Sequence, residues 1–169
     1  METSDLLRSK IYYFSKEEDK INLMRLLAFW RFREKKIVFT NGCFDILHLG
    51  HIDYLSKSAD LGDILIIGLN TDSSVKKIKN AGRPVNDENA RAKILSSIGF
   101  VNAIVLFDET TPYNLIKMIC PDVLIKGSDY KPENIVGYDI VKANGGEIIT
   151  IDFLKGYSTS SIIEKIKSL

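Results

Sequence analysis

The sequence has little of what marks several large classes of protein. Its 169 residues include 23 basic and 22 acidic side chains, and the resulting net charge of +1 argues against a protein that coats nucleic acid. The longest apolar stretch, residues 64–69, is far too short to span a bilayer. Two cysteines cannot build a disulfide framework, and the first residues lack the basic-then-apolar pattern of a secretory signal. We therefore expect a cytoplasmic protein that binds neither nucleic acid nor a membrane.

The length fits one domain with or without an appendage, and the hydrophobic pattern changes near residue 36. Residues 1–35 are predicted as a helical extension, whose main helix begins at Ser15 with Glu18 as its capping-box partner. This helix either covers the core or contacts a second copy. In residues 36–169 five short apolar strands alternate with helices, which predicts a five-stranded parallel sheet covered on both faces. Ligands of such sheets bind beyond the carboxyl ends of the strands.

The strongest chemical signal is the histidine turn, residues 40–51, which lies between the first of these strands and the next helix. A glycine-containing turn lets backbone N–H groups approach a phosphate, and a helix start adds the positive end of its dipole. His48 and His51, the two histidines of the chain, share a helix face, and Gly50 leaves room for a ligand. We expect both imidazoles to donate to phosphate oxygens. Structural histidines are one alternative, and a zinc site with Cys43 is another, although zinc needs further ligands.

A second signal is the basic segment, residues 76–93, which holds six basic and two acidic residues after the second of these strands. Lys79 and Arg83 suit the phosphates of two substrates, since an arginine fork matches phosphate oxygens. Arg91 either reaches a phosphate or pairs with Asp87, four residues before it. The other cations of the segment fit a solvated helix face equally well.

Further candidates stand at other strand ends. Lys126 ends the fourth predicted strand and either faces the crevice or reaches solvent. Residues 157–160 precede the last helix, where hydroxyls and N–H groups suit a phosphate, an adenine edge or simple helix capping. Asp72 either caps a helix or contacts a ligand. Asp45 either caps its own turn or helps to position a substrate or metal.

Several of these motifs resemble a known family. Asn41-Gly-Cys-Phe-Asp45 followed by His48-Leu-Gly-His51 is similar to the nucleotidyltransferase signature with its His-x-Gly-His motif. An ordered set of later motifs narrows the resemblance to the D-glycero-β-D-manno-heptose 1-phosphate adenylyltransferases, over roughly residues 36–169. These later motifs are Gly68-Leu-Asn-Thr-Asp72, Arg83-Pro-Val-Asn86, Arg91-Ala92, Pro121-Asp-Val-Leu-Ile-Lys-Gly127, Asp129-Tyr130, Ile135-Val-Gly137, Gly145-Gly146 and Tyr157-Ser-Thr-Ser160.

The resemblance implies a Rossmann-like three-layer α/β/α nucleotidyltransferase fold in residues 36–169. It implies transfer of AMP from ATP to heptose 1-phosphate, giving ADP-heptose and pyrophosphate for lipopolysaccharide core synthesis. It also implies Mg²⁺, held mainly by ATP rather than by direct protein ligands. Because the related domain is often fused to a sugar kinase, for which this sequence leaves no room, we expect a separate heptose kinase to supply the substrate. A homodimer is expected.

The residues and the resemblance together assign roles within the site. The predicted catalytic residues are His48, His51, Lys79 and Arg83. The predicted nucleotide-binding residues are the two histidines with Thr40, Asn41, Gly42, Phe44, Lys126, Gly127, Tyr157, Ser158, Thr159 and Ser160. The predicted substrate-binding residues are Lys79 and Arg83 with Asp45, Asn86, Arg91, Asp129 and Tyr130. For Asp129 and Tyr130, sugar hydroxyls and a simple turn are both open interpretations.

The sequence departs from the heptose enzymes at three noted positions. Ser128 stands where they often have a second glycine, and Lys77 and Asn80 stand where they often have arginine and glycine. Two other functions remain as alternatives. One is a related nucleotidyltransferase such as a glycerol-3-phosphate cytidylyltransferase, and the other is a nucleotide-binding module without catalysis.

Overall fold

Six parallel strands form the central sheet of the computed structural model, which describes residues 2–79, 82–128 and 131–169. The order across the sheet is β1-β4-β3-β2-β5-β6, and each neighbouring pair is parallel. The strands are β1 Ile11–Tyr13, β2 Ile37–Gly42, β3 Ile64–Asn70, β4 Ala103–Phe107, β5 Val123–Gly127 and β6 Glu147–Ile151. The helices are α1 Thr3–Arg8, α2 Glu17–Phe32, α3 Leu49–Ala59, α4 Asp72–Ile78, α5 Glu88–Ser96, α6 Tyr113–Ile119, α7 Tyr138–Ala143 and α8 Thr159–Lys167, with a 3-10 turn at Pro132–Asn134.

The Rossmann-like α/β/α class is confirmed, because helices cover both faces of the sheet. Alternate residues of each strand point to opposite faces. On one face Phe39 and Ile66 pack with apolar residues of α2, α6 and α7. On the other face Val38 and Leu65 pack with residues of α3 and α5. Within the described ranges, no helix is long and apolar enough to cross a membrane.

The predicted strand number was one too low. The additional strand, β1, comes from the N-terminal residues predicted as purely helical, and Ile11 pairs with Ile104 of β4. Strand β1 has three residues, so it is too short to show an alternating pattern in the sequence. It is an edge strand held by pairing with β4, and local sequence does not report that kind of long-range contact.

Helix α2 covers the core, which is one of the two interpretations of the N-terminal helix. Leu23, Leu27 and Trp30 are buried against the sheet. The predicted capping box was wrong, because the helix is capped by Lys16 without a side-chain hydrogen bond. Asp19 instead accepts a hydrogen bond from the backbone N–H of Tyr13 at 2.9 Å and so ties the helix start to β1. The boundary between an extension and a transferase domain near residue 36 stays a prediction.

The parallel arrangement brings the carboxyl ends of all six strands to one edge. The chain order runs outward from β2 to β3 and β4 on one side, and to β5 and β6 on the other. The switch point therefore lies between β2 and β5, where sheets of this kind open a crevice for a ligand. The histidine turn begins in the last three residues of β2, so the fold places it at this crevice.

Candidate active site

A cleft of about 790 Å³ opens at the carboxyl edge of the sheet. Most of the predicted site residues line it. These are Asn41, Gly42, Phe44, Asp45, His51, Lys79, Arg83, Lys126, Gly127, Thr159 and Ser160. Other predicted residues are not part of this lining, namely Thr40, His48, Asn86, Arg91, Tyr157 and Ser158. The predicted Asp129 and Tyr130, and the noted departure Asn80, lie outside the described residues.

The two histidines of the histidine turn form a stacked pair at the start of α3. His48 is the N-cap residue and His51 lies in the first turn, and their ring centroids are 3.8 Å apart with planes inclined by 22°. The shared helix face is as expected. The space at Gly50, however, is not left for a ligand. A Cβ at Gly50 would lie 3.1 Å from His48 Nδ1 and 3.1 Å from Tyr157 Cβ, so the glycine allows the ring and Tyr157 to pack.

Phe44 packs against His51 of the histidine pair. Its backbone is in the left-handed region, with φ at 44°, which is costly for a residue with a bulky side chain. In this conformation the Phe44 ring packs edge-on against His51, with centroids 5.4 Å apart. A Cβ at Gly42 would lie 3.0 Å from Phe44 Cε2, so Gly42 makes room for that ring. Thr40 is buried and shares a hydrogen bond of 2.8 Å with the Tyr54 hydroxyl, beneath the cleft.

The histidine pair is neutral at ordinary pH. Burial lowers the pKa of His48. Burial, together with the adjacent His48, lowers the pKa of His51 to about 4, and a hydrogen bond with the Ile46 carbonyl opposes this only in part. Among the described residues neither buried Nδ1 atom has a hydrogen-bond partner. A neutral imidazole has one N–H, so in His51 an anion would compete with the Ile46 carbonyl for that donor. Because both rings are neutral, neither places a positive charge beside its neighbour.

Zinc does not fit the histidine turn. No group of three or more histidine, cysteine, aspartate or glutamate side chains in residues 2–79, 82–128 and 131–169 is arranged to hold a metal ion. Burial raises the pKa of the Cys43 thiol, although Lys79, Arg91 and Arg83 oppose the shift.

Asp45 holds the loop at residues 83–86 against the histidine turn. Its side chain is 1% exposed, and the carboxylate accepts hydrogen bonds from Arg83 Nε at 2.6 Å, from the Val85 N–H at 2.8 Å and from the Asn86 N–H at 2.9 Å. Burial alone would raise the pKa of Asp45, but the Asn86 and Val85 N–H groups and Arg83 lower it overall. Asp45 therefore neither caps its own turn nor offers free oxygens to a metal, and it positions Arg83.

The Asn86 side chain serves the same loop. Its amide Nδ2 donates to the backbone carbonyl of Asp45 at 2.7 Å. The geometry supports a positioning role for Asn86 rather than the predicted contact with substrate. Arg83 differs, because its side chain is 20% exposed and lines the cleft beside Lys79.

Arg91 lies beneath the cleft and is 1% exposed. Its guanidinium donates to Asp72 Oδ1 at 2.7 Å, to the Cys43 carbonyl at 2.6 Å and to the Asn86 carbonyl at 3.1 Å. The alternative pairing with Asp87 was wrong, because Asp87 caps α5 instead. Arg91 thus joins the histidine turn to the basic segment, and burial argues against the predicted contact between its guanidinium and a substrate.

The opposite wall of the cleft comes from β5 and α8. Lys126 donates to the Asn41 side-chain oxygen, so this lysine is held at the cleft rather than directed into solvent. Ser158 caps α8 by accepting a hydrogen bond from the Ser161 N–H at 3.0 Å. The next two residues, Thr159 and Ser160, line the cleft. Helix capping and exposure of hydroxyls to a ligand therefore occur together at this helix start.

Sequence reasoning missed part of the lining. The additional residues are Cys43, Tyr54, Asn70, Ile78, Thr110, Thr111, Pro112, Asn134, Ile135, Val136 and Phe153. Asn70 ends β3, and residues 110–112 follow β4. Ligands of parallel sheets bind beyond the carboxyl ends of the strands, and this rule, which predicted Lys126, could also have predicted these residues. Tyr54 and Phe153, whose rings lie 5.9 Å apart, had no comparable local signal.

Comparisons with known proteins agree with this arrangement. A family model described as cytidylyltransferase-like matches residues 39–165. The bifunctional protein HldE of Campylobacter concisus is 56% identical over 134 residues, which cover 79% of this chain and 28% of the relative. HldE of Campylobacter jejuni subsp. doylei is 52% identical over 159 residues, covering 94% of this chain and 33% of the relative. The chain thus spans about a third of the length of the curated relatives it matches.

Two solved structures share the fold. The lipopolysaccharide core biosynthesis protein from Thermoplasma volcanium has a TM-score of 0.61 and 28% identity, and the match covers 72% of this chain and 99% of that one. The pantoate-beta-alanine ligase from Francisella tularensis has a TM-score of 0.56 with 94% of this chain and 78% of that one covered. At 16% identity the second match supports the fold alone.

Proposed function

The chain belongs to the cytidylyltransferase-like family of nucleotidyltransferases, and we propose that it transfers AMP from ATP to D-glycero-β-D-manno-heptose 1-phosphate, giving ADP-heptose and pyrophosphate. The observation that carries the proposal is the convergence of two kinds of phosphate-binding group on one cleft. Of the two stacked histidines at the start of α3, His51 lines the cleft, and so do Lys79, Arg83 and Lys126. The heptose acceptor is supported by the ordered motifs that resemble the heptose enzymes and by about 50% identity to HldE.

The reaction needs positioning and charge neutralisation more than an activated side chain. A phosphate oxygen of the sugar 1-phosphate, already ionised at neutral pH, attacks the α-phosphorus of ATP. A new bond forms between that oxygen and the α-phosphorus, and the bond from the α-phosphorus to the bridging oxygen of pyrophosphate breaks. Aligning the two phosphates and stabilising the charge that develops on the leaving group supply the rate acceleration.

Each wall of the cleft has a proposed part in this reaction. The start of α3 with His48 and His51 holds the triphosphate, and neutral imidazole N–H groups meet the charge growing on pyrophosphate. Lys79 and Arg83 hold the sugar phosphate, with Arg83 directed by Asp45. The hydroxyls at the start of α8 and Lys126 face the nucleoside from the β5 side.

Nucleotidyltransferases generally use a divalent metal, and we propose Mg²⁺ held mainly by the triphosphate. The described residues offer no three-ligand cluster, and the Asp45 carboxylate is already bound by Arg83 and two backbone N–H groups. This donor set fits a metal that arrives with the nucleotide. When bound, the ion would neutralise part of the triphosphate charge.

The proposed reaction also suggests a cellular setting. ADP-heptose would serve as a precursor of lipopolysaccharide core, and both ATP and the protein would be cytoplasmic. The acceptor would come from a heptose kinase, and the protein would act as a homodimer. Measuring the mass of the purified protein in solution tests the last point, with a mass near twice 19.1 kDa expected.

Pyrophosphate release from a matrix of substrates tests the function. ATP and CTP are each paired with heptose 1-phosphate and with glycerol 3-phosphate, in the presence of Mg²⁺. We expect release from ATP with heptose 1-phosphate and far less from the other pairs. Turnover of CTP with glycerol 3-phosphate would identify the related cytidylyltransferase instead. Binding of ATP without pyrophosphate release from any sugar phosphate would identify a module without catalysis.

A further inference from the structure

Asn70 is a buried amide at the cleft that the reaction as described leaves unused. It is the last residue of β3, its side chain is 3% exposed, and it lines the cleft. Strand β3 lies on the side of β2 that leads to β4, and α4, Lys79 and Arg83 follow it in the chain. Asn70 therefore lies on the side of the cleft where the sugar phosphate is proposed to bind.

Neighbouring hydrogen bonds fix the orientation of the Asn70 amide. The Ser74 hydroxyl donates its single proton to the backbone carbonyl of Glu109 at 2.8 Å. Ser74 Oγ can then only accept, so the group that faces it must be the Asn70 nitrogen. Asn70 Nδ2 does lie 2.9 Å from Ser74 Oγ. The two ends of an amide differ by one donor and one acceptor, so this contact defines both ends chemically.

The other end of the amide, Oδ1, is an acceptor with no donor. Among the described residues, the Ser74 contact is the single hydrogen bond made by the Asn70 side chain. Ser74 is itself fully buried, and its backbone N–H is held by Thr71, the N-cap of α4. The acceptor is thus rigidly mounted. A carbonyl oxygen that lines the cleft without a donor from the protein is available to a ligand that supplies one.

We propose that Asn70 is a specificity-determining residue that accepts a hydrogen bond from a hydroxyl of the acceptor sugar. This inference rests on the proposed function and names one contact that selects the substrate. A sugar carries hydroxyl donors next to its phosphate, so a phosphate held by Lys79 and Arg83 brings hydroxyls to the β3 side of the cleft. Thr110 and Thr111, which follow β4, line the same region. A site built around a fixed acceptor rejects an analogue that lacks the matching hydroxyl, because the acceptor then stays unpaired.

Deoxy sugar phosphates test this contact most directly. A series of acceptors, each lacking one hydroxyl, is compared with the parent acceptor in wild type and in Asn70→Leu, a variant of similar shape without a polar end. In wild type one analogue is expected to lose about 10- to 100-fold in kcat/KM, the range that an unpaired buried acceptor imposes. In Asn70→Leu the same analogue should differ from the parent by less than about threefold, with the KM for ATP changed by less than about twofold.

A matched variant tests the orientation of the amide. Ser74→Ala removes the group that holds Nδ2 and leaves Asn70 in place, so the amide can rotate. Its discrimination against the same analogue is expected to fall between those of wild type and Asn70→Leu. If Asn70→Leu does not fold, as judged by thermal unfolding, Asn70→Ala takes its place with the same expected loss of discrimination.

Three results would overturn the proposal. One is full retention of discrimination against every deoxy analogue in the folded Asn70 variants. Another is a variant effect confined to the KM for ATP, which would place Asn70 against the nucleoside. The third is a kcat/KM of wild type that is the same for every deoxy analogue as for the parent acceptor. The parent is whichever sugar phosphate supports pyrophosphate release in wild type, so a failed heptose assignment is seen in the parent reaction and does not decide the Asn70 contact.

Discussion

The histidine turn and the basic segment serve the same cleft but are held there by different forces. In the histidine turn the shape comes from backbone and packing, because Gly42 and Gly50 admit the rings of Phe44 and His48. In the basic segment it comes from ion pairs that each have one buried partner, with Asp45 bound to Arg83 and Asp72 bound to Arg91. The conformation of a packed turn can therefore be predicted from the residues of the turn itself. The conformation of an ion-paired segment depends on partners that are distant in sequence.

The largest effect is expected in the histidine turn. His51→Ala removes an N–H donor that meets charge on the leaving pyrophosphate, and His48→Ala removes both a donor and the stacking partner of His51. Each variant is expected to lower kcat by about 10²–10³, the usual cost of one such donor. Initial rates of pyrophosphate release measure the loss, and His51→Asn serves as a polar control without the ring. Near-normal turnover in both alanine variants would contradict the role given to the pair.

Two arginines provide the sharpest contrast within the basic segment. Arg91→Ala leaves Asp72 and two carbonyls without their donor beneath the cleft, and is expected to lower the free energy of unfolding by about 3 kcal/mol. Arg83→Ala removes a partly exposed cation, so we expect a smaller loss of stability and a raised KM for the sugar phosphate. Urea unfolding together with steady-state kinetics separates the two. The opposite pattern, with Arg83→Ala the less stable variant, would contradict the division of roles.

This contrast also shows where sequence reasoning stops. The spacing of the basic segment allowed Arg91 to pair with Asp87, four residues away on the same helix. The actual partner, Asp72, lies 19 residues away and was assigned to capping or ligand contact. The spacing of residues along a helix predicts contacts within that helix, but it does not predict a contact between two helices. Both arginines were predicted to bind phosphate, and only their different exposure in the structure distinguishes Arg83 from Arg91.

The parts of the fold that were predicted are those with a local signal. A helix follows the histidine turn as expected, and it is α3, Leu49–Ala59. Five strands carry apolar runs and were found, whereas the three-residue β1 was not. Among site residues, those next to a glycine turn or a strand end were located. Asn70 was missed as a ligand contact because the orientation of its amide depends on hydrogen bonds with Ser74 and, through Ser74, with Glu109.

A smaller effect is expected from pH. The pKa of His51 in the folded protein is about 4, below its ordinary value of 6.5, so the unfolded chain binds more protons between these values. Stability should therefore fall as the pH is lowered from 6.5 to 4, and this group should contribute no change above 6.5. The pKa of Asp45 is lowered instead, so its contribution is lost at still lower pH.

Thermal unfolding of wild type and His51→Gln across pH 4–7 measures this contribution. The midpoint of wild type should decline with acidification by more than that of His51→Gln. Parallel curves for the two proteins would show that His51 is not protonated on unfolding in this window, and would contradict a neutral buried imidazole.

The smallest effect is expected at the exposed cations of the basic segment. Lys77 forms an ion pair of 3.5 Å with Asp108, but both side chains are more than half exposed. Lys77→Ala and Lys93→Ala should change the free energy of unfolding by less than about 0.5 kcal/mol and turnover by less than about twofold. A large loss of turnover in either variant would extend the cleft beyond Lys79 and Arg83.

The central claim, transfer of the adenylyl group of ATP to a sugar 1-phosphate, is tested most directly by following isotopic label from ATP. Two reactions with heptose 1-phosphate are run in parallel, one with ³²P at the α position and one with ³²P at the γ position. The account predicts that the α label appears in the sugar nucleotide and the γ label in pyrophosphate. Appearance of the γ label in a sugar phosphate or in inorganic phosphate, with the α label left in ADP, would contradict it.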